Sequence, residues 1–144
     1  MTQTMPMSMS DTAGRPASDR FLRLVLRVDS VSTAVMAAVL IAACGPLGSA
    51  TGMPVAFSVG FGLYQLGGAA ALALIAGYPV IPAGLVWAVI GVNLCSAVAC
   101  LVVAAADFVP LTGFGVVFML IGALVVAVYA ALEYAGLRRM TAAG

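Results

Sequence analysis

The stretch GFGVVFMLIGALVVAVYAALEYA, residues 113–135, runs from Gly113 to Leu132 without a charge, a proline or a side-chain amide. Twenty helical residues rise about 30 Å, the thickness of a bilayer's hydrocarbon core. Working outward, three further stretches have the same character: about residues 25–44, 55–77 and 83–106. The seven prolines, at 6, 16, 46, 54, 79, 82 and 110, all lie outside these four spans. The connections are short: Gly45 to Pro54, Tyr78 to Pro82 and Asp107 to Thr112. Links of that length favour antiparallel neighbours, so the simplest assembly is an up-down bundle of four membrane helices.

Composition agrees. Of 144 residues, 64% are hydrophobic and 8% charged, and the mean hydropathy is +1.19. Five acidic and six basic residues are too few to coat a water-soluble globule of this size, so the outside is expected to face lipid. The basic residues are all arginines and form no basic face, which argues against nucleic-acid binding. The absence of histidine excludes bis-His haem ligation, zinc sites built on His, and Ser-His or Cys-His catalysis.

Residues 1–20 contain Met, Ser, Thr, Pro and Gly in place of aliphatics, with too little apolar surface to offset the entropy of ordering. They read as a disordered tail. Arg15, Arg20, Arg23 and Arg27 precede or open the first span, Arg138 and Arg139 follow the last, and no connection carries an arginine. Four spans put both ends of the chain on one side, and the positive-inside bias makes that side cytoplasmic. A second reading of the first span exists: arginines, an apolar run from Val31 to Leu40, then Ile41-Ala42-Ala43-Cys44-Gly45 is the layout of a lipoprotein signal peptide. Its charged leader would be very long for that purpose, and three spans would remain after cleavage. Gly60-Phe61-Gly62 and Gly113-Phe114-Gly115 form a weak internal echo.

Ionisable residues inside a span are functional-site hypotheses by default. Asp29 sits about four residues inside the first span, roughly 6 Å below its boundary, and Glu133 closes the fourth, with Tyr129 one turn deeper. Arg23 and Arg27 are placed to snorkel to headgroups. Arg27, Asp29, Tyr129 and Glu133 thus form a candidate polar cluster. In one reading it is a proton or cation site with Asp29 titrating. In the other, which the sequence favours, Arg27 neutralises Glu133, Tyr129 donates to Asp29, and the network fixes how the outer helices meet. Gln65 and Asn93 are the amides within spans, each 14 residues from Pro79 at the centre of the second connection. Equal distance implies equal depth, and an interhelical amide pair is expected. Small residues Ser58, Gly62, Gly68, Ala69, Ser96, Ala97 and Cys100 recur near them, permitting close approach. Cys44, Cys95 and Cys100 form no metal or redox motif, and Trp87 suits an interfacial anchor.

With Leu22-Arg23-Leu24-Val25-Leu26-Arg27-Val28-Asp29 and, in the third span, Trp87-Ala88-Val89-Ile90-Gly91-Val92-Asn93, the chain resembles a group of short four-span integral membrane proteins of actinobacteria. The resemblance covers about residues 21–139. Members of the group often carry a tryptophan three residues after the span-three Asn, where this chain has Ser96. No activity comes with the resemblance. It directs attention to Arg27, Asp29 and Asn93.

The sequence therefore predicts an all-α protein, a four-transmembrane-helix up-down bundle. Residues 1–20 form a tail, 21–139 the membrane domain and 140–144 a second cytoplasmic tail. No cofactor, metal or nucleic acid is expected, and the partners are the lipid bilayer and a second copy or another membrane protein. The leading functional expectation is a non-enzymatic multi-pass protein of the cell membrane that acts through packing. The alternative is a small transporter or channel subunit with Asp29 as coupling group. Reporter fusions after Arg139 and at Gly14 should both report cytoplasm, and one at Ser49 the exterior; an exterior signal at Gly14 overturns the orientation.

Overall fold

The computed structural model describes residues 15–144, and the expected tail over residues 1–14 lies outside the described residues. Five helices follow one another: α1 (Arg15–Ala42), α2 (Cys44–Thr51), α3 (Val55–Ala76), α4 (Ala83–Ala105) and α5 (Gly113–Ala142). No strand occurs among the described residues. Four of the helices, all but α2, are long and apolar enough to cross a membrane. Their large side chains point outward in number, Leu74 and Leu124 being 72% and 64% exposed. Water would penalise such a surface heavily, whereas lipid does not.

Three boundaries differ from the sequence reading. Residues 15–20, expected in the tail, are the first turns of α1, and residues 140–142 continue α5. Residues 44–51, expected as loop, form α2. The break between α1 and α2 falls at Ala43 because Pro46 has no N–H to donate back to Ala42. Helical bonding resumes at once, with Leu47 N donating to Ala43 O at 2.9 Å.

The chain is clasped at both ends. At the far end from the arginines, α2 stops at Gly52, whose φ of 78° is left-handed and whose N–H donates to Gly48 O. A Cβ there would run into Pro110 O, so only glycine fits. Thr112 then joins α2 to α5. Its N–H donates to Thr51 O at 2.9 Å, its hydroxyl donates to Ala50 O at 2.7 Å, and the same hydroxyl accepts from Gly115 N as the cap of α5. Gly115 rides against the Thr51 carbonyl, where a Cβ would collide. Gly62 similarly lets α3 approach Ile41 and Ala37 of α1. In each Gly-Phe-Gly echo the second glycine is the one pressed against a neighbour, while Gly60 and Gly113 face open space.

At the arginine end, Arg23 departs from the expected snorkelling role. Its guanidinium donates to Ala76 O at 2.8 Å, Tyr78 O at 2.6 Å and Pro79 O at 2.9 Å, while Nε binds Asp19 at 2.9 Å. It satisfies the carbonyls left over where α3 ends and opposes the negative end of that helix's dipole. Nearby, Arg139 lies 4.5 Å over the Phe21 ring, and Gly136 lets Leu22 of α1 pack closely on α5. Both ends of the described chain thus share one end of the bundle.

The helices pack as two antiparallel hairpins, α1 with α3 and α4 with α5, joined through α1 on α5. Two buried serines lock the first hairpin reciprocally: Ser30 of α1 donates to Ala69 O of α3, and Ser58 of α3 donates to Leu40 O of α1, both at 2.7 Å. The expectation that each short link makes close neighbours fails at α3 and α4. They share the apolar cluster of Leu72, Ala76, Val86 and Ile90 near the arginine end. Farther along, a cleft of about 490 Å³ separates them, lined by Phe57, Phe61, Tyr64, Cys95 and Val103, with Met119 of α5 also lining it. Tyr64 and Ser96 bridge the divide through a 2.9 Å hydrogen bond.

Hydrogen bonds to a charged group contribute about 1.5–3 kcal/mol each when partly buried. Arg23→Met, which keeps the apolar stem, should lower unfolding stability in detergent by about 2 kcal/mol or more. Arg23→Lys should recover less than half of the loss, because an ammonium cannot fork across three carbonyls. Equal stability of Arg23→Met and the parent protein would show that the loop holds without the arginine.

Candidate functional site

Helix periodicity dictates what Asp29 has around it. Thr33 is one turn on, on the same face, whereas Arg27 is two residues back, about 200° around the helix. Accordingly Asp29 is buried, 1% exposed, and Arg27 is exposed. On α5, Tyr129 and Glu133 share a face by the same four-residue rule, and Glu133 is 0% exposed. The antiparallel register of α1 on α5 sets Ser32 opposite Tyr129 and brings Asp29 level with Glu133. The Cα–Cβ bond tilts toward a helix's N-terminus, so in antiparallel helices these two side chains lean in opposite directions. They meet at the middle of α4.

Asn93 of α4 stands between them. Its Nδ2 donates to Asp29 Oδ2 at 3.1 Å and to Glu133 Oε2 at 3.1 Å, one amide group serving two carboxyls on two different helices. Thr33 Oγ1 donates to Asp29 Oδ1 at 2.9 Å. Ser32 Oγ donates to the Asp29 carbonyl at 3.0 Å and shares a 2.8 Å hydrogen bond with Tyr129 Oη. The remaining oxygen, Glu133 Oε1, is buried with no hydrogen-bond partner.

The wiring of these residues differs from the sequence reading. Asp29 and Glu133 do come together. Arg27 does not neutralise Glu133: the ion pair seen among the described residues is Arg23 with Asp19. Tyr129 bonds to Ser32 rather than to Asp29. The Gln65–Asn93 pair does not form either. Asn93 turns its amide NH2 to α1 and α5, and Gln65 is half-buried on α3. Carboxylates are also stronger acceptors than a second amide, which favours the arrangement seen.

The site sits deeper than the sequence reading placed it. Asn93 is one residue from the midpoint of α4, and Asp29 lies 13 residues from the far end of α1 at Ala42. What the sequence reading does not contain is the joining of Asn93 to both carboxyls. The available signal was the count from the far helix ends, 13 residues for Asp29 and 12 for Asn93, which sets the two at one level.

No group of three or more His, Cys, Asp or Glu side chains converges on a metal-sized space among the described residues. Cys95 is exposed and Cys100 buried, on different faces of α4 as their spacing requires. Trp87 packs on Tyr134 with ring centroids 5.8 Å apart. The chain matches no protein family, no curated protein and no solved structure.

Chemically, the arrangement is a pair of buried acids with no cation against them among the described residues. Removing either partner of a bonded buried pair leaves an unsatisfied group, so coupling in double-mutant cycles reports who is wired to whom. Arg27→Gln and Glu133→Gln should be additive to within about 0.5 kcal/mol. Asn93→Leu and Glu133→Gln should couple by about 1 kcal/mol or more. The reverse pattern in thermal or denaturant unfolding would restore the arginine–glutamate pair.

Proposed function

We propose that this chain is a non-enzymatic, multi-pass protein of the cell membrane, with both termini cytoplasmic, that serves as a small transporter or channel subunit. Its coupling group is the Asp29–Glu133 pair. The observation that carries this reading is the burial of both carboxyls at the midpoint level of α4 with no arginine bonded to either. Burying an ionised group in such a place costs several kcal/mol unless something compensates it. A bundle that needed only to hold its helices together would do so with the serine bonds and glycine contacts it already has.

The competing expectation, a protein that acts purely through packing, rests on acids placed near a helix end, where charges are cheapest to keep; the level of Asn93 and Asp29 in the middle of their helices favours the transport reading instead. The cytoplasmic orientation and the choice of membrane rest on the six arginines at one end. Lipid is the partner the outward apolar surface calls for, with a second copy or another membrane protein as a further candidate, and the surface offers no basic face to nucleic acid.

The test is flux. Purified protein reconstituted into vesicles should pass protons or a monovalent cation down an imposed potential above the rate of empty vesicles. Asp29→Asn or Glu133→Gln should reduce that rate at least tenfold, while Arg27→Gln, whose side chain is exposed, should not. Rates indistinguishable from empty vesicles under both proton and alkali-cation gradients would overturn the transport reading.

A further inference from the structure

The transport reading leaves open what the carboxyl pair binds, and the hydrogen-bond polarity of the site discriminates between a metal cation and a proton. A sodium or potassium ion is held by several oxygen lone pairs aimed at one point, as hard cations require. Here the groups aimed at the carboxyls are donors. Asn93 presents its NH2 to both, and Thr33 presents its hydroxyl hydrogen. A flipped Asn93 would put its carbonyl oxygen against two carboxyl oxygens, acceptor on acceptor, so the donor orientation is the one that satisfies the network. A cation between the acids would face that NH2 head-on.

One acceptor is left without a hydrogen, Glu133 Oε1, on a side chain that is 0% exposed. Asp29 Oδ2 and Glu133 Oε2 both lie 3.1 Å from the one Nδ2 of Asn93, which sets the two carboxyls side by side. Two carboxylates are both acceptors only, so that contact becomes a hydrogen bond only when a proton joins them. Nothing else nearby supplies one. On α1 the ionisable neighbour is Arg27, exposed and two residues away around the helix; α5 adds Tyr129, already bonded to Ser32, and Tyr134 against Trp87. From α4 come Asn93 and the thiols of Cys95 and Cys100, and from α3 Tyr64, which is bonded to Ser96.

We propose that the Asp29–Glu133 pair is a binding site for a single proton, carried on the Glu133 carboxyl and donated toward Asp29, with Asn93 holding the two acids in register. The inference deepens the transport reading by naming the coupling ion, and it rests on that reading for its role but not for its chemistry. Loading the site protonates one carboxyl and leaves the pair with one negative charge in place of two. Unloading returns the proton to water and leaves two acids that Asn93 alone must keep together.

Glu133 is the sole glutamate in the chain, so isotopic labelling of glutamate marks its carboxyl without any mutation. Full-length protein carrying 13C at the glutamate side-chain carboxyl, in lipid nanodiscs, should show an infrared carbonyl band of a protonated acid at pH 7. The band should move on 13C substitution and on exchange into deuterium oxide, and should disappear as the medium is made alkaline. Saturating sodium or potassium chloride at constant pH should leave it in place. An ionised Glu133 at pH 7 would overturn the proposal, and so would a protonated band that sodium or potassium abolishes, which marks a metal-cation site. A protonated Glu133 in a protein that passes no flux would refute transport and leave the proton site standing. Flux of protons with Glu133 ionised throughout would do the opposite.

Discussion

One amide group, the NH2 of Asn93, is the point through which three of the four long helices are tied. It donates to a carboxyl from α1 and to a carboxyl from α5, and among the described residues neither acid has a cation against it. In water such bonds are nearly neutral exchanges, but within a bundle facing lipid the alternative is an unsatisfied group in hydrocarbon. The α1–α5 seam therefore has to be tight enough to exclude water and still bring Asp29 and Glu133 to a common level. Gly136 against Leu22, and Ser32 against Tyr129, are the contacts that set this register from either side. The central position of α1 and α5 follows from the same demand, since a carboxyl on a peripheral helix would face lipid.

The ends of the molecule hold what the middle requires. Arg23 binds the carbonyls at the exit of α3, and Thr112 binds those at the exit of α2, so each connection is fastened by side chains on another part of the chain. Ser30 and Ser58 further lock α1 to α3 within the first hairpin. The second hairpin, α4 with α5, carries Asn93 and Glu133. Between the hairpins, α3 and α4 touch near the arginine end and part beyond Tyr64 and Ser96. The carboxyl site is assembled from both hairpins, Asp29 from the first and Asn93 with Glu133 from the second, so its hydrogen bonds depend on how the two hairpins meet along the α1–α5 seam.

Much of this was legible in the residues alone. Four uncharged runs, prolines confined to the gaps and length matched to a bilayer give the helix count directly, and Asp29 and Glu133 stand out as acids in apolar surroundings. The wiring was harder to read. A depth measured from the ends of the apolar runs nearest the arginines sets Asp29 too shallow, because α1 and α5 both extend past those runs. Gln65 and Asn93 were matched on depth alone, which says nothing about whether their helices touch. Residues 44–51 carry three residues usually found in loops, Gly45, Pro46 and Gly48, yet helical bonding continues through them because Pro46 falls in the first turn, where a missing N–H is tolerated. The role of Arg23 could not be read at all, since it depends on carbonyls more than fifty residues away.

The decisive exclusion, that of arginine from the carboxyl pair, has a plain geometric origin. Residues two apart on a helix do not face each other, so Arg27 and Asp29 point to opposite sides of α1 however the bundle assembles. Arg23 precedes Asp29 by six residues, about 240° around the helix, and is in any case committed to the α3 exit. Arg138 and Arg139 lie more than one turn beyond Glu133 on α5, toward the end of the bundle, where Arg138 covers Tyr134 and Arg139 covers Phe21. Arg20 and Arg15 are farther still along α1. Among the described side chains, the guanidinium groups of α1 and α5 are thus held away from the acids by helix geometry or by distance along the chain, and the groups bonded to the acids are the neutral donors Asn93 and Thr33.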